Sequence, residues 1–191
     1  MIENSQSGHN NHNHICPHKF AFMLDNWIRK QFQNPAKILK EYITPGDTVI
    51  DMGCGPGFFT IEIAKMVGDN GKVIAVDLQK EMLARVSKKA ARHNVAGRVV
   101  SHQCEPDRIG LDQKADFILA YYMVHETPDP GAFLKEAKSI LNKGGKLLVV
   151  EPKMHLSRAA FKAMLEDGKK AGLKAVDFPL KKGGHTVLFE R

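Results

Sequence analysis

The segment Val49-Ile50-Asp51-Met52-Gly53-Cys54-Gly55-Pro56-Gly57-Phe58 constrains this chain more than any other stretch. A short apolar run at 48–52 feeds a turn holding three glycines, and apolar residues at helical spacing follow at 58–67. Strand, glycine turn and helix in that order put the turn at the carboxyl edge of an open α/β sheet, where ligands of such sheets bind. Glycine lets the backbone approach a ligand with no Cβ between, and supplies positive φ where the turn needs it. The spacing then narrows the ligand. A dinucleotide fingerprint, Gly-x-Gly-x-x-Gly, counted from Gly53 and Gly55 demands glycine where Phe58 stands; the third glycine is Gly57. No Gly-Lys-Ser/Thr follows, so the loop is not a P-loop. Asp51, two residues before the first glycine, would repel nucleotide phosphates and attract a ligand carrying an amino group and a sulfonium. Its structural alternative is to cap the amides of the loop.

Around this loop the pattern alternates. Strands are predicted at 48–52, 72–76, 98–102, 115–121 and 146–151, and helices at 58–67, 79–93, 130–141 and 157–171. A hairpin of 174–178 with 185–190 closes the chain. Strands separated by helices imply right-handed crossovers and a parallel sheet covered on both faces. Before the core, residues 1–15 are polar and His/Asn-rich and read as a disordered tail. Residues 16–43 read as a helical lid or flank. They contain Phe20, Phe22, Trp27 and Ile28, then a short helix capped by Asn34-Pro35 and running to about Tyr42. The core is expected over 44–191.

Composition excludes several classes. Hydrophobic residues make up 43% and charged residues 26% of the 191, as in an ordinary globular domain. No apolar run is long enough to cross a bilayer and no signal peptide is visible, which makes a cytoplasmic protein without membrane insertion the expectation. Cys16, Cys54 and Cys104 lack CxxC spacing, so neither a disulfide framework nor a zinc finger is indicated. The His9, His12, His14, Cys16 and His18 group has metal-binding donors, but alternating histidines in a polar tail read as adventitious, and no metal is expected. The net charge of +7 admits an anionic partner such as RNA; Lys and Arg spread along several helices read more simply as a solvated surface.

Asp77 ends the second strand twenty residues after Gly57 (77 − 57). A carboxylate there can accept both ribose hydroxyls of a bound nucleoside, and can equally cap the helix beginning near Gln79. VIDMGCGPGFFT resembles motif I of class I S-adenosylmethionine-dependent methyltransferases, and VIAVDLQKEML the acidic motif that follows it. ADFILAYYMVHE and LNKGGKLLVVEPK resemble their fourth and fifth strands, all in the right order over 48–151. The likeness extends to the small-molecule group that includes the ubiquinone/menaquinone biosynthesis enzymes. It implies a Rossmann-like α/β fold: one doubly wound, mostly parallel seven-stranded sheet with an antiparallel last strand and helices on both faces. It also implies S-adenosylmethionine as cofactor. Gly53, Gly55 and Gly57, with Cys54 between them, would lie under the methionine moiety. Asp77 would hold the ribose, Leu78 would pack on the adenine beside Met82, and Ala120 or Tyr121 would close over the cofactor. The acidic residue that usually follows the third strand in this group is displaced to Glu105 near Cys104, or replaced by backbone atoms.

Methyl transfer by in-line displacement needs alignment, exclusion of water and, for weakly acidic acceptors, a base. The run Ala120-Tyr121-Tyr122-Met123 is not the Asn/Asp-Pro-Pro-Tyr of nucleic-acid amino methyltransferases, and no cysteine follows Cys104, which disfavours an arsenite methyltransferase. His125 is the candidate base; its structural alternative is a loop histidine hydrogen-bonded to Glu126. Glu151 either faces the pocket or caps a turn with Pro152, and Tyr121 joins the acceptor side. The main reading is methyl transfer to a small molecule. An RNA-directed methyltransferase, or a non-catalytic cofactor-binding module acting through a protein partner, are the alternatives.

Overall fold

The computed structural model describes residues 34–179 and 184–191. The tail, the amphipathic stretch up to Phe32 and the residues 180–183 lie outside the described residues.

Asn34 caps the first described helix, α1 (Pro35–Leu39), its side chain accepting from the Lys37 N–H. The helix ends three residues short of Tyr42. Then come β1 (Thr48–Met52), α2 (Thr60–Met66), β2 (Lys72–Asp77), α3 (Lys80–Arg92), β3 (Val99–Gln103) and β4 (Ala115–Tyr121). The chain continues through α4 (Pro130–Ile140), β5 (Leu141–Pro152), α5 (Arg158–Lys170), β6 (Lys174–Asp177) and β7 (Gly184–Glu190). Asp129 and Ser157 cap α4 and α5 through their side chains, on the Ala132 and Ala160 N–H groups. Phe58 and Phe59 fall in a turn before α2, because the glycine loop needs those residues to complete its descent from the sheet.

The seven strands lie in the order β3-β2-β1-β4-β5-β7-β6. β7 runs antiparallel to β5 and β6, and the remaining pairs are parallel. This is the expected sheet. β5 starts earlier than predicted: Leu141 pairs with Ala115, and the register shifts before Phe117 pairs with Lys146.

Alternation along each central strand separates two cores. Ile50, Met52, Ile118, Ala120, Leu147 and Val149 face α4 and α5, packing with Leu134, Ala137 and Met164. Val49, Phe117, Leu119, Leu148 and Val150 face the other way, onto Leu39, Ile61 and Ala64. Each of the Val, Leu, Ile, Phe and Met side chains among them contributes about 1.5–3 kcal/mol when fully buried. Among the described residues, no helix is long and apolar enough to cross a membrane. After β1 the chain turns toward β2, and after β3 it crosses back to β4, so the sheet reverses order beside β1. The carboxyl ends there form the crevice where α/β sheets take ligands.

Candidate active site

The three glycines of the loop do three different jobs. Gly53, Gly55 and Gly57 have φ of +64°, +52° and +83°, in the left-handed region that glycine favours. A Cβ on Gly53 would come within 2.8 Å of the Met123 Cβ, so its bareness lets the segment after β4 lie against the loop. A Cβ on Gly57 would meet the Val86 Cγ2 at 3.2 Å, so this glycine seats α3. At Gly55 a Cβ would meet nothing within 4 Å, so this glycine is free of packing constraint.

Asp77 ties the loop to the next helix. One carboxylate oxygen accepts the Gly55 N–H at 2.8 Å and the other the Gln79 N–H at 2.8 Å. The bond at the helix start was one of the two expected roles; the grip on Gly55 was not visible in the sequence. A carboxylate offers about four acceptor sites, so capacity remains for a ligand. Burial pushes this carboxyl up, opposed by the backbone N–H groups it accepts. Asp51 is 2% exposed and accepts the Thr60 hydroxyl at 2.6 Å. Thr60 was missed, although its place on the first turn of the helix after the glycine loop was a usable signal.

A cavity of about 510 Å³ opens over these strand ends. Of the expected cofactor residues, Asp51, Gly53, Cys54, Gly55, Asp77, Leu78, Met82 and Glu105 line it, as does Tyr121. Gly57 and Ala120 do not. Gly57 is spent on packing against Val86, and Ala120 points into the α4/α5 core because side chains alternate along β4. Of Ala120 and Tyr121, it is therefore Tyr121 that faces the crevice. The far wall is the loop after β3. There the Cys104 N–H donates to the Asp77 carbonyl at 3.2 Å, and Glu136 on α4 accepts the Ile109 and Gly110 N–H groups at 2.9 Å each. Glu136 was not anticipated. Burial raises both thiols in the wall, Cys104 to about 11, and keeps them protonated and inert.

After β4, Tyr122 has φ of +61°, and its N–H donates to the Val150 carbonyl at 2.7 Å. A left-handed non-glycine residue held this way at a crevice is a strained position of the kind found in functional sites. The turn Val124–Glu126 follows. Glu151 is fully buried; it accepts the Val124 N–H at 2.9 Å and pairs with the His125 Nδ1. His125 thus bonds Glu151, not Glu126, and Glu151 neither faces the cavity nor caps a turn with Pro152. Neither residue lines the cavity. The hydrogen bond that its Nδ1–H donates to Glu151 holds the imidazole above its usual value. Glu126 does line the cavity, exposed at its rim, with its carboxyl raised by partial burial. Phe58, Phe59, Tyr121 and Tyr122 touch in succession, centroids 5.1, 4.5 and 4.4 Å apart, and build an aromatic wall.

The lining bears on which cofactor fits. It carries seven carboxyl side chains, Asp51, Asp77, Glu105, Asp107, Glu126, Asp129 and Glu136. Among the described lining residues the only basic side chain is Arg108. The chain as a whole is at +7. A pyrophosphate would be repelled here, whereas a sulfonium with an α-amino group is attracted. Among the described residues, no group of three His, Cys, Asp or Glu side chains is arranged to hold a metal ion.

Fold, glycine loop, clamped aspartate and acidic crevice together define a class I S-adenosylmethionine-binding methyltransferase. Residues 43–185 match the family described as Methyltransferase domain, and the chain belongs to that family. It is 30% identical over 128 residues to demethylmenaquinone methyltransferase of Lactobacillus johnsonii, covering 66% of this chain and 50% of that protein. It is also 30% identical over 107 residues to the ubiquinone/menaquinone biosynthesis C-methyltransferase UbiE of Escherichia coli, covering 56% and 43%. The chain therefore spans about half the length of the curated relatives it matches. In structure it resembles a SAM-dependent methyltransferase from Aquifex aeolicus with a TM-score of 0.82 and 27% identity, over 91% of this chain and 98% of that one.

Proposed function

We propose that this chain transfers a methyl group from S-adenosylmethionine to a small-molecule acceptor held against the aromatic wall. The observation that carries the proposal is a crevice lined by both carboxylates and aromatic rings, set at the carboxyl ends of β1, β2 and β4. Asp77, Leu78 and Met82 would hold the adenosine end, and Asp51, Gly53 and Gly55 the methionine end. The cofactor supplies an electrophilic sulfonium methyl group. The protein's own share is to align the acceptor and keep water away. Alignment of this kind can supply about 7–11 kcal/mol of a barrier. The apolar surfaces of Phe58, Phe59 and Met123 exclude water. The acceptor is a small molecule and not a nucleic acid because seven carboxyl side chains line the crevice against one basic side chain among the described lining residues, which disfavours a phosphate backbone. The names of the curated relatives put quinols first among acceptors to try.

Two measurements test this. S-adenosylhomocysteine should raise the melting temperature by mass action and NAD should not; a larger shift with NAD overturns the cofactor assignment. S-adenosylhomocysteine release should then be followed against phenols, quinols, thiols and amines. Binding without release on any of them would favour a non-catalytic module.

A further inference from the structure

We propose that Glu126, and not His125, is the group that takes the proton from the methyl acceptor, with His125 and Glu151 as the pair that positions it. The proposal rests on the methyl-transfer reading above. Of the three residues of the Val124–Glu126 turn, Glu126 alone reaches the cavity; Val124 is fully buried, and His125 does not line it. The turn is gripped from beneath at two points, both by Glu151 from β5: the Val124 N–H at 2.9 Å and the His125 Nδ1. It is closed from within by the Glu126 N–H on the Met123 carbonyl at 3.0 Å and by the Thr127 hydroxyl on the Val124 carbonyl at 2.7 Å. Met123, the residue before the turn, lies against Gly53. A carboxylate carried on so fixed a turn, beside the glycine loop, is held where a reacting group must be held.

The groups acting on Glu126 come from three elements. His125 on its own turn favours its ionised form, while Glu151 from β5 and Asp77 from β2 oppose it. Partial burial is the largest influence and also opposes ionisation, so the carboxyl sits above its usual range and is a better base than a free glutamate. As the acceptor atom bonds to the methyl carbon, the carbon–sulfur electron pair leaves with sulfur, and the acceptor's proton passes to a Glu126 oxygen and then, from the exposed rim, to water. The acceptor class is a small aromatic hydroxyl compound. The ring lies on the aromatic wall. An amine is disfavoured because a carboxylate beside it stabilises the ammonium, which has no lone pair to attack with.

The test uses the full chain with catechol and hydroquinone as probes. Glu126→Gln should lower kcat by on the order of 10²-fold and remove the acid limb of its pH profile. Affinity for S-adenosylhomocysteine should stay unchanged, since that ligand has no sulfonium charge. His125→Gln should keep the limb and move it to higher pH, because loss of the imidazolium lets the Glu126 carboxyl rise further. A Glu126→Gln variant at the wild-type rate, or a His125→Gln variant that loses the limb, overturns the proposal, the second result making His125 the base. Carboxyl carbon-13 titration of the protein saturated with S-adenosylhomocysteine needs no turnover. Glu126 should titrate above the ordinary glutamate range and shift upward in His125→Gln; an ordinary value insensitive to that substitution removes Glu126. A wild type that binds S-adenosylhomocysteine yet methylates no probe counts against the methyl-transfer reading, and the titration still decides the residue.

Discussion

Replacing Gly53 by alanine tests whether the segment after β4 really constrains the glycine loop. The methyl group would meet two costs. Left-handed backbone at φ +64° costs an L-residue roughly 1–2 kcal/mol. The new Cβ would also stand 2.8 Å from the Met123 Cβ, a branch point near the backbone and not a side-chain tip that can swing away. Overpacking of that kind costs about 1–3 kcal/mol. Gly55→Ala is the matched control: at φ +52° it carries the strain, but its Cβ meets nothing within 4 Å. The difference between the two variants should therefore be about 1–3 kcal/mol, the packing part alone. A protein of this size has roughly 5–15 kcal/mol of stability, so both variants should fold. In urea unfolding the midpoint of Gly53→Ala should fall below that of Gly55→Ala at a constant slope. Binding should show the reverse order of concern. Gly55 lines the crevice, so an added methyl there should weaken S-adenosylhomocysteine binding out of proportion to its small stability loss. Equal unfolding midpoints for the two variants would refute the reasoning, because they would mean that Met123 yields freely and does not hold the loop.

Asp77→Ala should weaken S-adenosylhomocysteine binding by about 1.5–3 kcal/mol and also lower the unfolding midpoint, since it orphans the Gly55 and Gln79 N–H groups; calorimetry showing unchanged affinity would place the ribose elsewhere. The His125–Glu151 pair should make stability pH-dependent. A histidine whose folded value is raised contributes stability that is fully present below its unfolded value of 6.5 and lost as pH rises through the folded one. The melting-temperature gap between wild type and His125→Gln should accordingly be larger below pH 6.5 than well above it, and a gap that widens with pH would show that the imidazole is not charged in the pair.

The strand-end side of the crevice was readable in the sequence because it is built at the carboxyl edge of the sheet. β1 and β4 have the bounds that their apolar runs implied, and Asn34 caps as expected. Once those strands are in register, the carboxyl edge brings Asp51, Asp77 and the loop together with no further information. Gly57 shows the limit of that reading. Its spacing identified the loop, yet its bareness serves Val86 across a helix, a contact between segments that no local pattern encodes. The acceptor side was harder for the same reason. Whether His125 or Glu126 points into the crevice depends on how one short turn is anchored. Its anchor, Glu151, lies 26 residues beyond His125 on another strand. Sequence proximity suggested Glu126 as the histidine's partner; the sheet brings Glu151 instead.

Charge separates the two scales on which such a chain can be read. A net +7 spread over the surface suggests an anionic ligand, and the crevice is acidic. Local charge decides the matter, because at physiological salt the Debye length is about 8 Å. Surface lysines beyond that distance are screened from the crevice, while Asp51, Asp77 and Glu126 line it. The basic balance thus bears on how the molecule meets its surroundings, and the carboxylates at two strand ends and one turn set the charge that the crevice presents. A ligand that is cationic at its reactive centre satisfies the second without conflict from the first.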